Sequence, residues 1–202
     1  GLDKPEAVWS FANGDKEVLK LALGQRHKDG QRAFAKVDGS DIVALIDPAL
    51  TGKLLAEYRK RAVWSGVDAA QAETIAISGG TGGFALRKQG NVWLDTEKPT
   101  EAINPAAVTE LLDALAGLKA ERYVVDEKAD LKLFGLEPPQ RVITVMLKGG
   151  VVKTLHLGRE EGGKGGKVYA RVADKDRTEV FVLGEAESAK LMKERAAFLQ
   201  KK

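Results

Sequence analysis

The sequence predicts an α+β protein built from antiparallel β-meanders with helices packed on one face, in a module that occurs twice. Short β-rich runs are separated by turn pairs such as Asn13-Gly14 and Asp38-Gly39, which is typical of hairpins. Only one helical pattern follows each group of strands, and this disfavours parallel sheets with a crossover helix between strands. The third observation is an internal repeat at nearly constant spacing.

The repeat consists of four short blocks that recur in one order, with offsets of 134 or 135 residues. The blocks are GLDKP at 1–5 and GLEPP at 135–139, LALG at 21–24 and LHLG at 155–158, FAKV at 34–37 and YARV at 169–172, and RAVW at 61–64 and RAAF at 195–198. The one extra residue falls in a Gly-rich connection, where insertions are tolerated. The signature positions, which we interpret as structural, are Gly1, Leu2, Pro5, Leu23, Gly24, Gly135, Leu136, Pro139, Leu157, Gly158, Tyr169 and Ala170. This order and spacing indicate duplication.

The first copy, residues 1–64, is predicted to contain four strands and one helix. The predicted strands are 7–11, 17–23, 33–37 and 42–46. Asp47 then offers an N-cap, with Pro48 in the first helical position. The residues that follow at helical spacing are Leu50, Leu54, Tyr58 and Ala62. We expect this copy to be the later half of a repeat unit.

The remaining residues, 65–202, are predicted to form a complete second unit. Its predicted strands are 74–78, 84–88, 92–94, 123–125, 141–147, 151–157, 167–172 and 179–183. A helix over 104–119 begins with Asn104 and Pro105 and carries the apolar stripe Val108, Leu111, Leu112, Leu115 and Leu118. A C-terminal helix is predicted over about residues 185–199.

The two copies differ in what precedes their meanders. If residues 65–134 are the first half of the second unit, the corresponding half of the first unit is absent and the chain begins in the middle of a unit. We therefore expect residues 1–64 to leave an apolar surface or a sheet edge unpaired. Docking of this copy onto the complete unit is the expected response, and pairing with a second molecule is the second choice. Retention of the natural upstream segment in the cell is the third alternative.

The composition predicts a folded, soluble protein that does not bind nucleic acid. Hydrophobic residues make up 44% of the 202 residues, and 32 basic and 29 acidic residues are mixed along the chain to give a net charge of +3. The sequence contains no Cys, which excludes disulfides, zinc–thiolate sites and Cys nucleophiles. No apolar run approaches the roughly 20 residues that span a bilayer.

Two glycine-rich segments partly resemble phosphate-binding loops. Residues 158–165 match the Gly, four residues, Gly-Lys part of a P-loop, but Gly165 stands where Ser or Thr would ligate Mg²⁺, and a strand is predicted next. Residues 79–83 also join two predicted strands. We interpret the first segment as a flexible hairpin loop and the second as a tight turn.

Candidate catalytic groups are sparse. His27 lies in a predicted loop and His156 in a predicted strand, where we expect it to be exposed, and neither has a partner at ligand spacing. No Gly-x-Ser-x-Gly nucleophile elbow is present. The tryptophans, which we interpret as packing residues, are Trp9, Trp64 and Trp93. We therefore predict no catalytic, cofactor-binding or metal-binding residue, and no enzyme activity.

One set of motifs resembles the bacterial family called domain of unknown function 4340 (DUF4340). The set comprises Trp93-Leu94, the Leu-striped helix, residues 134–139, Leu157-Gly158 and Tyr169-Ala170-Arg171. The resemblance spans about residues 70–202, and residues 1–64 resemble the family's later half. Family proteins typically carry an N-terminal membrane anchor, place the repeats outside the cytoplasm and are often encoded beside an ABC transporter resembling the gliding-motility type.

The resemblance implies the soluble part of a membrane-anchored accessory protein in the bacterial periplasm or cell envelope. Its partner would be a protein of the envelope or transporter, bound by a non-catalytic binding or scaffolding module. The alternative is a small-molecule or glycan binder that uses a cleft between the two repeats. A flat apolar patch would favour the first function, and a concave groove lined by aromatic residues would favour the second.

Overall fold

The structure, a computed structural model, describes residues 1–55, 60–64, 68–80, 82–125, 130–163, 166–174 and 177–200. The chain divides into two compact units, Gly1–Arg59 and Lys60–Lys202. Each unit contains one antiparallel sheet, which confirms the predicted α+β class. The boundary after Trp64 stays a prediction about the repeat; in the structure, Val63 and Trp64 pack into the core of the second unit.

The first unit is a four-stranded meander followed by a short helix. Its elements are β1 (Ala7–Asn13), β2 (Lys16–Arg26), β3 (Ala33–Val37), β4 (Val43–Ile46) and α1 (Pro48–Leu54). The strands pair antiparallel in chain order. Asp47 caps α1 by accepting a hydrogen bond from the N–H of Leu50 at 3.0 Å, as its position before Pro48 predicts.

The prediction that helical spacing continues to Ala62 was wrong. The described helix ends at Leu54, and Tyr58 lies outside the described residues. Ala62 instead forms an antiparallel bridge with Lys119. Pairing with a distant segment has therefore overridden the local helical pattern.

The second unit contains one eight-stranded sheet and two α-helices. Its elements are β5 (Ala72–Gly79), β6 (Phe84–Gln89), β7 (Val92–Asp95), α2 (Pro105–Ala116), β8 (Arg122–Val125), β9 (Arg141–Leu147), β10 (Val152–Glu160), β11 (Val168–Val172), β12 (Val180–Leu183) and α3 (Glu185–Leu191). The strand order is β7-β6-β5-β9-β10-β11-β12-β8, with antiparallel neighbours throughout. Because β5 pairs with β9, strands β5 to β7 lie beside the meander β9 to β12 in one sheet.

The helices are shorter than the sequence predicts. α2 ends at Ala116, with Gly117 as its C-cap. The predicted C-terminal helix was wrong beyond Leu191, because α3 ends there and residues 195–198 form a separate 3₁₀ turn. At this end of α3 the guanidinium of Arg141 donates to the carbonyl of Leu191, the last residue of the helix, and to that of Lys193 just beyond it.

The core of the second unit lies between α2 and one face of the sheet. The sheet side follows strict alternation in β9, where Ile143 and Val145 are buried and their neighbours are half-buried. The buried residues of the helix stripe are Ala107, Val108, Leu111, Leu112 and Leu115. The predicted stripe is therefore the core face of α2, with Leu118 buried just after the helix.

Two short segments hold the ends of α2. Residues 61–63 pair with residues 118–120 through backbone hydrogen bonds of 2.7 and 2.8 Å, just after the helix ends. Residues 198–200 pair with residues 102–104 through bonds of 2.8 and 2.9 Å, just before it begins. The last repeat block, RAVW in one segment and RAAF in the other, ends in a buried aromatic ring in both cases.

The meander of the first unit and strands β9 to β12 have the same order, and they share the pairing register except beyond Phe11, where β1 shifts against β2 and β9 does not shift against β10. The corresponding pairs are Ala7 with Leu23 and Arg141 with Leu157, Leu23 with Ala35 and Leu157 with Ala170, and Ala35 with Ala44 and Ala170 with Phe181. The second and third strands also shift register at the same place, between Leu23 and Arg26 in one meander and between Leu157 and Glu160 in the other. A residue of one meander can therefore be compared with its counterpart in the other.

Candidate functional site

The signature glycines permit close packing of the chain against the second strand of each meander. A Cβ added to Gly158 would lie 2.1 Å from the carbonyl oxygen of Phe134, and 3.0 Å from the Cγ of Leu136. In the first unit, a Cβ on Gly24 would lie 3.1 Å from the Cγ of Leu2. The Gly-Leu signature thus crosses directly over the strand glycine in both units, which is a packing arrangement.

The signature on β11 is also a packing site. The ring of Tyr169 meets Phe134 edge-on, with 5.0 Å between ring centroids, and the guanidinium of Arg159 lies 5.9 Å from the Tyr169 ring. Arg159 in turn donates to the carbonyl of Leu133 at 2.7 Å. Ala170 is buried in the core. These contacts fasten the segment before β9 to the sheet.

The described parts of both glycine-rich segments join two strands. Residues 158–160 belong to β10, residues 161–163 form a 3₁₀ turn, and β11 begins at Val168, while Lys164 and Gly165 lie outside the described residues. In the other segment, Thr81 lies outside the described residues, and the neighbouring glycines connect β5 to β6. In both places a strand follows the loop, where a P-loop requires the N-terminus of a helix.

The histidines have different surroundings from those the sequence predicts. His27 does meet a carboxylate, because its Nδ1 lies 3.0 Å from the Oδ2 of Asp29 in the loop before β3. His156 is half-buried, so the expectation that it is exposed was wrong. Burial, and then the nearby Arg171 guanidinium, lower the pKa of His156, which favours the neutral imidazole.

Arg141 is a buried cation that holds the end of α3. Its guanidinium donates to the carbonyls of Leu191 at 3.3 Å and Lys193 at 2.6 Å, and to the Glu194 carboxylate at 2.6 Å. It begins β9 on the face of that strand that points into the core. These contacts make Arg141 a structural clamp between the sheet and the C-terminal segment.

A second buried charge, Asp95 at the end of β7, is tied to the same C-terminal segment. Its carboxylate accepts hydrogen bonds from the Arg195 guanidinium at 2.8 and 3.0 Å and from the N–H groups of Glu97 and Lys98. Burial by itself raises the pKa of Asp95, but these donors outweigh burial and hold its pKa below the usual value. Arg195 also donates to Glu101 at 2.5 Å. The cluster therefore connects the sheet edge, the segment before α2 and the terminal turn.

Because the pKa of Asp95 is lowered by folding, its ionised form stabilises the protein above the pKa of the unfolded chain, near 3.9. That contribution disappears as the pH falls through the lower folded-state pKa. Asp95→Asn is expected to lower the free energy of unfolding by about 2 kcal/mol at pH 7 and by progressively less as the pH falls below the pKa of the unfolded chain. Urea unfolding at several pH values measures this, with exposed Asp113→Asn as control; a loss that does not depend on pH would contradict it.

The described residues contain no group of three or more His, Cys, Asp or Glu side chains that could hold a metal ion. Of the helices in the described part of the chain, none is long and apolar enough to cross a membrane. A hollow of about 600 Å³ lies along α2 and α3 in the second unit. Its lining side chains are small or charged, including Glu110, Glu187 and Lys190, which does not match the aromatic groove that a glycan binder would favour.

The first unit exposes apolar side chains on both faces of its meander. We name this set the open sheet surface: Val8, Phe11, Phe34, Val37, Val43 and Leu45. Comparison with β9 to β12 shows how unusual the exposure is. Phe11 is 42% exposed, whereas its counterpart Val145 is 0% exposed, and Val43 is 51% exposed against 0% for Val180. These exposures agree with an apolar surface on the first copy; that the surface results from a missing half-unit stays a prediction.

The outer edge of β1 is the second part of the candidate site. β9, the counterpart of β1, pairs with β10 on one edge and with β5 on the other. Within the described residues, β1 pairs with β2 alone. Its sequence, AVWSFAN, contains neither a charged residue nor proline, which commonly protect an edge strand, but its register with β2 shifts between Phe11 and Ala12. The edge of β1 up to Phe11 is therefore open to another strand.

Comparison with known proteins places the chain in one family. The model of a domain of unknown function, DUF4340, matches residues 1–133 and again residues 93–202. The chain belongs to the DUF4340 family. No curated protein matches it. The two overlapping matches cover both units of this DUF4340 chain, and the resemblance inferred from its motifs is confirmed.

The sequence did not identify the structural charges or the open surface of this DUF4340 chain. Arg141 could have been found, because it stands at a position of β9 whose alternation predicts an inward side chain. The open sheet surface could not be predicted from residue types alone. Val43 and Val180 are the same residue type at corresponding positions, and only the surrounding structure makes one exposed and the other buried.

Proposed function

We propose that this DUF4340 chain is a non-catalytic binding and scaffolding module, the soluble part of a membrane-anchored accessory protein beside an ABC-type transporter of the bacterial envelope. Its first unit presents the open sheet surface to a protein partner. One observation carries the proposal: Phe11, Val43 and Leu45 are exposed in the first unit, whereas the second unit buries their counterparts. Exposed apolar patches mark interaction sites, and Val43 and Leu45 lie on the same face of the sheet.

The buried charged residues make structural contacts, which supports a non-catalytic role. Arg141 and Asp95 are buried in hydrogen bonds that fasten the C-terminal segment to the sheet. A catalytic acid or base needs access to a reacting group, and these two side chains are occupied within the fold.

The proposal includes duplication of one module, with different roles for the two copies. Its support is the shared strand order, pairing register and β-bulge position of the two meanders. In the second unit, β5, α2 and β8 cover the meander. In the first unit the corresponding surface serves the partner, so that duplication supplies one self-contained copy and one receptive copy.

Site-specific photocrosslinking in cells tests this function. A photoreactive amino acid at Val43 is expected to give a covalent adduct with one transporter or envelope polypeptide in the membrane fraction. The matched control is Val152, which is exposed in the second unit and is expected to give no such adduct. Equal adducts at both positions, no adduct at Val43, or an adduct with a cytoplasmic protein would contradict the proposed function.

A further inference from the structure

We infer that β1 binds a partner polypeptide as an added antiparallel strand, in the register that β5 uses on β9, and that the bound segment has an apolar–acidic–apolar sequence. The inference rests on the proposed protein-binding function and specifies the partner's chemistry. Strand addition gives affinity through main-chain hydrogen bonds and specificity through alternate side chains.

The second unit supplies the geometry of the bound strand. On β9, Ile77 of β5 lies opposite Ile143, and Ile75 lies opposite Val145. Ile143 and Val145 correspond to Trp9 and Phe11 of β1, because both strands pair with the next strand in the same register. A strand bound to β1 in this way therefore places apolar residues, two positions apart, opposite Trp9 and Phe11.

The side chains of Trp9 and Phe11 are oriented by contacts within the first unit. The indole N–H of Trp9 donates to the carbonyl of Leu54 at the end of α1, at 2.8 Å. The rings of Trp9 and Phe11 are stacked, with 6.5 Å between centroids and 26° between planes. An aromatic pair whose orientation is already fixed loses little conformational freedom on binding. Aliphatic side chains of the added strand can then pack against its edge.

The charge next to β1 determines the residue between the two apolar positions. Lys20 lies directly opposite Ser10 in the pairing of β1 with β2, so its side chain stands on the same face as Ser10. Lys36, opposite Ala22, lines the same shallow hollow with Lys20, and Asp38 supplies the one carboxylate there. The surplus positive charge favours an acidic residue opposite Ser10. In β5 the corresponding residue, opposite Thr144, is Ala76.

A peptide with the sequence of residues 71–80, QAETIAISGG, is the probe, in its native form and with Ala76→Glu. Both are labelled and titrated against the whole 202-residue chain by fluorescence anisotropy. Saturable binding is expected, at least about threefold tighter for the Ala76→Glu peptide at low salt, with the difference reduced at high salt. A peptide N-methylated at alternate residues is expected not to bind, since it lacks the main-chain donors of the new ladder.

Matched protein variants locate the binding edge. Phe11→Lys is expected to weaken binding about tenfold or more, because a lysine on an edge strand opposes pairing. Val18→Lys is the control: Val18 is 59% exposed and its counterpart Val152 is 56% exposed, so this position is open in both units. Exposed Ala12→Lys replaces Phe11→Lys if the latter lowers the melting temperature of the chain.

Several results would overturn the inference. They are the absence of saturable binding, equal weakening by Val18→Lys and the β1 variant, or unchanged binding of the N-methylated peptide. A dimer in light scattering that Phe11→Lys or Ala12→Lys abolishes would also overturn it, because a second copy of this chain would then occupy the edge. Crosslinks at Val43 that persist while the peptide fails would leave the proposed function standing and remove this strand-addition mechanism alone.

Discussion

Arg141→Ala is expected to lower the free energy of unfolding by about 3 kcal/mol. The substitution removes a buried side chain together with three hydrogen bonds. The carbonyls of Leu191 and Lys193 lose a donor, and the volume left by the guanidinium adds a cavity cost. The C-terminal segment also loses one of its attachments to the sheet, so its amide protons should exchange faster than those of β10.

Urea unfolding measured by circular dichroism gives the size of this effect. Arg122→Ala is the matched control, because Arg122 forms a more exposed ion pair with Glu161 and is expected to cost less than about 1 kcal/mol. Arg141→Lys is expected to recover part of the loss, since an ammonium keeps the charge but cannot reproduce the planar fork of donors. Equal losses for Arg141→Ala and Arg122→Ala would show that Arg141 is not the clamp described above.

Gly158→Ala is expected to cost about 3 kcal/mol, through overpacking. The new Cβ would lie 2.1 Å from the Phe134 carbonyl oxygen, which belongs to the backbone and can retreat only if the crossing segment moves. Gly24→Ala is the matched variant in the first unit. There the nearest atom is the Leu2 Cγ at 3.1 Å, a side-chain atom, and we expect a cost of about 1 kcal/mol or less.

Thermal unfolding of the two alanine variants, with the native chain alongside, measures this contrast. The difference between them tests the packing explanation of the signature, because both substitutions change the same residue type at corresponding positions. If Gly24→Ala is as damaging as Gly158→Ala, local backbone preference governs the signature glycine. If neither variant is destabilised, the close crossing is not needed.

The strands could be predicted from the sequence because their signals are local. Runs rich in β-branched residues, such as 141–147, and turn pairs such as Asn13-Gly14 define each strand without reference to the rest of the fold. Helix ends were harder to predict. Helical spacing continued to Ala62 and to Leu199, yet both residues form bridges with distant segments in the structure. Those partners lie more than 50 residues away, beyond the reach of any local pattern.

Only part of the candidate site could likewise be predicted from the sequence. The uncharged sequence of β1 can be read directly, and so can the repeat that makes β1 comparable with β9. Exposure could not be read, because it depends on which elements cover a residue. Phe11 and Val145 both continue an apolar alternation, and the difference between them comes from the neighbours of β9, chiefly β5.

The clamping of α2 by residues 61–63 and 198–200 has a consequence for how the chain acquires its structure. The first meander pairs each strand with the next one along the chain, so its loops are short and can close early. In the second unit, β5 can pair with β9 only after β9 has been made, and the segment before α2 can pair only after residues 198–200 have been made. During synthesis from the ribosome, the receptive meander can therefore form while the eight-stranded sheet is still incomplete.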